Sequence, residues 1–584
     1  MKQASDKRAA IFDGLWLLAL IAVTSFWCVH IAGSLSATFD EPGYLEWGVA
    51  HWNTGSYKPL MKNGTMPLPI DLETLPLHLW ERAHGTHIDL ARDIVWALAW
   101  ARTGNLVFWA LLLVYVFRVA RAVAGPWAGH IASALIAFEP TLLAHAALAT
   151  TDIAVAALLM VFVSEFHKGR EKRWWRRLWL PGLICGLAML AKASALVFGP
   201  VCMIVVEFWR LWKSDAYTGI AAADFKARAK FFAAGLWAFR SDFFKIIGIG
   251  LLTVFLYVRS DWGVEPTFVQ WAQGLKPGAW HDTMLWMSEH LKIFTNAGEG
   301  LVQQIKHNLR ADPTYILGTV HPRAVWYYFP VALSIKCTIP FLLMPLVIAI
   351  FSRRALLNWP LLVALAMLAY SLTCRVQIGV RFMFPLLALA AVGYGAAITQ
   401  AMREMQPHWK RVALGVLVVC GIVYSGASSV IAGPDALCYT NEAWGGTSDG
   451  YLYLSDSNYD WGQGLKELLK WRDDAHGVDV VDVWYFGKDP RADVLPLRLL
   501  SPAYTPLLPG QTWEDYMRGK CVAVSATSLY GAYQSPSTLS AAAWLKQHKP
   551  SARTTTFFIY DFRQAEFANG ISAASRATKP ALQP

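Results

Sequence analysis

IFDGLWLLALIAVTSFWCVHIAG (residues 11–33) runs directly into SLSATFDEPGYLEWG (residues 34–48). The first stretch is long enough to cross a hydrocarbon layer of roughly 30 Å as a helix. The second turns polar and sets Asp40 beside Glu41 just past the end of that span. On its own the pair reads as a solvated loop start. In a chain that otherwise keeps charge out of such places, it points to chemistry at a membrane surface.

The rest of the chain supports the membrane. Its 584 residues are 55% hydrophobic and only 16% charged, with a mean hydropathy of +0.34, whereas a soluble protein carries about a quarter charged residues. The 28 Trp and 21 Tyr suit interfacial belts, where amphipathic rings sit at headgroup level. A net charge of +11 raises nucleic acid as a partner, but the basic residues gather in short loops between apolar segments, so membrane orientation explains them and no nucleic acid is expected. Lys2, Lys7 and Arg8 precede a segment too long for a signal core and without a small-residue cleavage pattern, which predicts a retained first helix with a cytoplasmic N-terminus.

Apolar spans are expected near 11–33, 93–117, 127–143, 149–166, 179–207, 243–258, 326–351, 358–374, 378–400 and 410–432. HKGREKRWWRR (residues 167–177) and the basic stretch 210–245 both belong in the cytoplasm by the positive-inside rule. The apolar segment between them must then cross an even number of times, as two half-spans with an apex near Ala191–Ser194. The same parity puts Lys192, the loops at about 34–92 and 259–325, the junction 373–379 and everything after about 432 outside. Residues 1–432 form the membrane domain on this reading.

From Gly433 onward no further span appears. VDVVDVWYF, KCVAVSAT and TTTFFIYDF alternate with helical patterns such as WGQGLKELLKWRDD and AAAWLKQH, the alternation of a small α/β domain. The fold expected is a polytopic α-helical membrane protein of about 10 to 12 transmembrane helices with a C-terminal external α/β domain over 433–584. The end, from about Gly570, is Ala-, Ser-, Lys- and Pro-rich and expected to fray. Six cysteines fall in or beside spans, while Cys438 and Cys521 lie outside, where an oxidising compartment invites one disulfide between them. No Cys/His cluster suggests zinc, and His84 and His87 read as solvated.

On the outer side stand Asp40, Glu41 and Asp152, the last in LATTDIAVAALLM, with Lys192, Lys336 and Arg381 embedded in GLAMLAKASAL, VALSIKCTIPF and QIGVRFMFPLL. Ionisable residues at span ends either snorkel or serve function. Cations there suit a phosphate heading a long lipid, which Lys meets as a point charge and Arg as a fork. A neighbouring carboxylate suits proton removal from an attacking hydroxyl.

FDEPGYLEWG, AGPWAGHIASALIAFEPTLLAHAALATTDIAVAAL, GLAMLAKASALVFGPV, WYYFPVALSIKCTIPF, QIGVRFMFPLLALAAV and YLSDSNYDWGQGLKEL, in this order, resemble the membrane glycosyltransferases of the GT-C fold, the group that includes protein O-mannosyltransferases and lipid A aminoarabinose transferases. The resemblance implies transfer, with inversion, of a hexose or pentose from a polyprenyl-phosphate-linked sugar to a lipid, glycan or exported-protein acceptor on the periplasmic side of the inner membrane. It maps the family's acidic catalytic residue, the base toward the acceptor, onto Asp40 with Glu41 beside it. Glu41 or Asp152 would orient the acceptor or a metal, and Lys192, Arg381 and Lys336 would hold the donor phosphate. Tyr44, Asp456, Asn458 and Asp460, with Gln463, would contact sugar or acceptor, although a turn with a helix cap at Asp460 explains that segment equally well. No cofactor is required; a divalent ion on Asp40 and Asp152 is chemically compatible. The insert 210–245 has no match in the family. A transporter or flippase of a lipid-linked substrate is the alternative, but it explains neither the large loops nor the folded tail, and no paired repeats are seen.

Overall fold

The computed structural model describes residues 2–563 except 222–223, 294, 311, 476, 505–506 and 534. The C-terminal stretch expected to fray lies outside the described residues. The protein is a polytopic α-helical membrane protein whose C-terminal part carries a mixed β-sheet. Seven described helices are long and apolar enough to cross a membrane, and a shorter apolar helix covers Trp359–Ser371.

In chain order the elements that frame the site are α1 (Lys2–Ser34), α2 (Glu41–Thr54), α3 (Pro67–His84), α4 (Leu90–Ala124), α5 (Pro126–Ala137), α6 (Pro140–Ala146) and α7 (Asp152–Gly169). They continue as α8 (Leu180–Ala191), α9 (Ala195–Trp212), α10 (Phe225–Val258), α11 (Tyr328–Lys336), α12 (Ile339–Ser352), α13 (Trp359–Ser371), α14 (Phe384–Glu404) and α15 (His408–Ala432). The segment 179–207 is two helices meeting at Lys192–Ser194, where the sequence places an apex.

Three expected segments differ. Residues 127–143 break at Phe138–Glu139 and 326–351 break at Cys337–Thr338, each where a proline two residues on occupies the first turn of the next helix and cannot continue the previous one. The basic stretch 210–245, expected as a loop, is helical from Phe225 onward and continuous with the span that follows, because no proline interrupts residues 220–258. α8 fits closely against α10 through Gly182 and Gly186, where an added Cβ at Gly186 would lie 2.7 Å from the Gly250 carbonyl oxygen. Small residues four apart are the standard device for such close helix contacts.

A hairpin of β1 (Thr314–Ile316) and β2 (Thr319–His321) precedes α11. Past α15, α16 (Leu465–Asp474) leads into β3 (Val481–Trp484), β4 (Leu497–Leu499), β5 (Cys521–Ser525), β6 (Ala552–Arg553) and β7 (Phe557–Asp561), ordered β4-β3-β5-β7-β6. The β3/β4 and β3/β5 pairs are parallel, while β7 runs antiparallel to β5 and β6. Alternation sends Val481, Val483, Cys521, Ala523, Phe557 and Ile559 to one face against Leu465 and Leu468 of α16, and Val522, Val524, Phe558 and Tyr560 to the other. That alternation corrects the expected disulfide. Cys438 packs with the second face while Cys521 points to the first, both are free thiols, and the Cys438 thiol instead donates to the Tyr459 carbonyl at 2.9 Å.

One irregular segment, residues 456–463, joins the tail to the helices. The backbone amides of Ser36 and Phe39 donate to the carbonyls of Gln463 (2.9 Å) and Trp461 (2.7 Å). Opposite, the Val380 amide donates to Asn458 Oδ1 at 2.8 Å and the Ser457 hydroxyl to the Ile378 carbonyl at 2.7 Å. The segment thus spaces the loop carrying Asp40 from the turn carrying Arg381.

Candidate active site

Asp40 sits immediately before α2, and the Tyr44 hydroxyl one turn later donates to its Oδ2 at 3.4 Å. Asp152 is the first residue of α7, where the helix N-terminus favours a negative charge. Lys192 leaves α8 in extended conformation and its ammonium is in direct ion-pair contact with Asp152 Oδ1. Arg381, on a single 3-10 turn over Val380–Met383, places Nη1 3.1 Å from Asp40 Oδ2 and 3.5 Å from Asp152 Oδ2. Four residues from four separate segments therefore form one ion quartet: two carboxylates, two cations, no net charge.

Aromatic rings wall the quartet. The Arg381 guanidinium lies 4.2 Å from the Trp461 ring centroid and the Lys192 ammonium 4.2 Å from that of Phe382, a distance at which a desolvated cation is attracted to a ring face. The Asp152 side chain is 0% exposed and that of Arg381 6%, whereas Asp40 keeps 23%. Asp40 is thus the more accessible of the two carboxylates. Asp152 Oδ2, Arg381 Nε and His145 Nε2 are buried without a hydrogen-bond partner among the described residues. Such orphaned polar atoms gathered at one place mark a site built for a ligand's oxygens and protons.

Glu41 turns away from this quartet. It is fully buried and accepts a bidentate pair from Arg102 (Nε to Oε1 and Nη2 to Oε2, both 2.8 Å), with further bonds from the Thr38 amide and the Ala149 amide, both 2.9 Å. Although burial acts the other way, Arg102 and these donors hold its carboxyl below the ordinary glutamate range. Arg102 also donates to the carbonyls of Ala32, Leu35 and Ser36. Glu41 is therefore the clamp that fixes the end of α1, the Asp40 loop and α4, and not a member of the quartet.

The other expected contacts divide. Lys336, expected on the donor phosphate, is 0% exposed and donates to the carbonyls of Leu437 (2.9 Å) and Asn458 (2.6 Å), tying α11 to the 456–463 segment. The Asn458 amide group donates to the Tyr328 hydroxyl at 2.9 Å, and Asp460 accepts from the amides of Gly462 (3.1 Å) and Thr527 (2.8 Å). Both belong to the turn that shapes the segment, and Gln463 holds the same turn through the Trp461 amide at 2.7 Å. Asp456 differs. Its backbone is left-handed at φ +57°, a conformation costly for any residue but glycine. Its buried carboxyl is pushed up to about 7, burial outweighing Arg381 and the Ser457 amide. It faces the quartet and is hydrogen-bonded by Tyr533.

Several residues near the quartet escape sequence reading. Arg102 carries the signal of a lone arginine in an apolar span. Glu73, in α3, is fully buried with both carboxylate oxygens unpartnered among the described residues, and burial with the charges of Glu41 and Asp152 raises it well above the glutamate range. Trp461 and His145 give no signal in the chain. Among the described residues no group of three or more His, Cys, Asp or Glu is arranged to hold a metal ion, and Asp40 and Asp152 already face cations.

Residues 89–223, which carry Arg102, Asp152 and Lys192, match the family model of dolichyl-phosphate-mannose-protein mannosyltransferases. That segment, about a quarter of the chain, is similar to the family. The resemblance read from the ordered motifs holds on it, and a transporter or flippase gains no support. No curated protein sequence matches the chain. Among solved structures, ArnT from Cupriavidus metallidurans bound to undecaprenyl phosphate is 12% identical, covering 93% of this chain and 97% of its own, with a TM-score of 0.44. The oligosaccharyltransferase AglB from Archaeoglobus fulgidus, in complex with an inhibitory peptide and a dolichol-phosphate, is 13% identical, covering 94% and 74%, also at 0.44.

Proposed function

We propose that the protein is a GT-C-type glycosyltransferase of the inner membrane that moves a sugar from a polyprenyl-phosphate donor, with inversion, to a hydroxyl or phosphate of a lipid, glycan or exported protein on the periplasmic side. The observation that carries this reading is the ion quartet, with Asp40 its reachable carboxylate, set beside an apolar cleft. A cavity of 380 Å³ lies along Ala193–Phe198, Tyr370, Arg375 and Phe382. A second of 240 Å³, lined by Met61, Met189, Val254 and Phe255, meets it at Ala193, Leu196 and Gln304. An isoprenoid chain laid there would pass Ala193 and Phe382, the chain neighbours of Lys192 and Arg381.

Chemistry follows from the charge count. The acceptor oxygen bonds to the anomeric carbon as the bond from that carbon to the phosphate oxygen breaks; the electron pair leaves with the polyprenyl phosphate, and the acceptor proton passes to Asp40. The donor phosphodiester carries one negative charge and the released monoester gains a second. Protonation of Asp40 simultaneously frees Arg381 from its carboxylate, so the quartet gains one positive charge at the moment the phosphate gains a negative one. Preorganised cations that respond to developing charge supply several kcal/mol in comparable sites. Asp152 holds Lys192 and Arg381 in place throughout.

Asp40→Asn preserves size and hydrogen bonding but accepts no proton. Folded, membrane-inserted variant should transfer at least ~100-fold more slowly in a purified donor assay, within the range for general-base catalysis. Near wild-type turnover removes Asp40 as base, and transfer from a soluble nucleotide sugar alone removes the lipid donor.

A further inference from the structure

A third cavity, of 230 Å³, opens between the end of α1 and the first half of α4, with Arg102 of the Glu41–Arg102 clamp in its wall. Its walls are apolar: Val29 and Ala32 from α1, Val95, Ala99 and Leu106 from α4. The lips continue into exposed apolar surface, with Val29 51% and Val95 45% accessible and Trp100 and Val107 beyond them. In a membrane-spanning helix pair that surface faces lipid chains.

The upper rim is cationic. Arg102, Lys466 and Arg491 all line it. Arg102 is neutralised by Glu41, and Arg491 by a bidentate pair with Asp489 (2.9 and 2.6 Å). Lys466, at the start of α16, has no carboxylate partner among the described ion pairs; its ammonium donates to the Gly33 carbonyl at 3.0 Å, which caps α1 and leaves two donors unused. Burial first, then the nearby Arg102 and Arg491, lower its pKa below the ordinary lysine value, with Asp489 acting the other way. An apolar slot open to the bilayer at one end and, at the other, a lysine with no direct ion pair among the described residues match an amphiphile with an anionic head.

We infer that this groove binds an anionic phospholipid of the outer leaflet, one acyl chain lying between α1 and α4 and the phosphate on Lys466. The site depends on the membrane reading of the chain and not on the reaction assigned to Asp40. It borders the clamp that fixes the Asp40 loop, so its occupant braces α1 against α4 where that loop begins.

Native mass spectrometry of the full chain in nonionic detergent, with dioleoyl phosphatidylglycerol or dioleoyl phosphatidylcholine as probe, tests it. Wild type should retain phosphatidylglycerol in preference to phosphatidylcholine. Lys466→Ala should lower phosphatidylglycerol occupancy about fivefold, the worth of one cation near a headgroup, and Ala99→Trp, which fills the slot, should lower it at least as far with thermal melting unchanged. Excess inorganic phosphate should leave the lipid bound. Equal retention of the two lipids by wild type, unchanged occupancy in both variants, or full displacement by inorganic phosphate would each overturn the assignment.

Discussion

Arg381→Lys tests the quartet most directly, because it keeps the charge and removes the geometry. In the native site Nη1 alone is shared between Asp40 at 3.1 Å and Asp152 at 3.5 Å, Nε is buried without a partner, and the guanidinium plane lies over Trp461. On the proposed reading the donor phosphate is gripped by the guanidinium fork. Lysine offers no fork and stacks less well. The loss is one charge-assisted hydrogen bond of about 1.5–3 kcal/mol plus part of a desolvated cation–π contact of about 2 kcal/mol. Together these make about 2–4 kcal/mol, or roughly 30- to 900-fold in kcat/KM for the lipid-linked donor. Initial rates against donor concentration in reconstituted protein give the value, and a thermal melt separates it from misfolding. Arg381→Ala is the companion variant: it leaves the buried Asp152 with Lys192 only and should also lower stability, by up to about 3–5 kcal/mol if the carboxylate stays ionised. Donor kcat/KM within about threefold of wild type for Arg381→Lys, with an unchanged melt, would show that no phosphate uses the fork, and the charge argument built on it would fail.

Glu41→Gln and Arg102→Ala should both lower the melting temperature sharply, since each breaks a buried bidentate pair worth about 3–5 kcal/mol when one partner is lost; a melt like that of Asp40→Asn would refute the clamp. Asp456 and Asp460 are raised to about 7 and about 6 by burial, above the unfolded value of about 3.9, so the folded state binds more protons and stability should fall as pH rises from about 4 to about 7. Asp456→Asn should flatten that slope in melts across the range, and an identical slope would remove Asp456 as its source. On the outside-facing topology, Ser194→Cys and Ser535→Cys should label in intact cells with a membrane-impermeant thiol reagent; protection until permeabilisation would reverse the orientation.

The helical frame was legible because its signals are local. Apolar length marked the spans, and the basic stretches on either side of 179–207 called for a turn within it; the segment breaks at Lys192–Ser194 between α8 and α9. Breaks at Phe138–Glu139 and Cys337–Thr338 were missed because hydropathy averages over the prolines that cause them. The helix from Phe225 was missed for the opposite reason: its lysines and arginines read as a loop although nothing in the stretch stops a helix. The disulfide pairing failed on a two-residue period. Counting cysteines in one compartment says nothing about which face of a sheet each one takes, and a strand position fixes that face absolutely.

At the site, sequence reading identified charges that desolvation makes expensive, and the structure brings Asp40, Asp152, Lys192 and Arg381 to one point. What it could not supply was the partner of each. Glu41 and Asp40 are adjacent in the chain, yet one helix start turns them to different partners, Glu41 into a saturated pair with Arg102 and Asp40 to Arg381. Lys336 sits in as apolar a context as Lys192, but backbone carbonyls satisfy it, whereas Lys192 answers a carboxylate that it shares with Arg381. The difference is one of exchangeability. A cation held by carbonyls inside a packed turn has no lower-energy alternative, so it stays structural. A cation held by a carboxylate beside another cation can trade that partner for a phosphate at little net electrostatic cost, because one anion replaces another. A neutral quartet stored in the low-dielectric wall of a membrane enzyme is therefore both stable without its substrate and ready to redistribute its charge when the substrate brings its own.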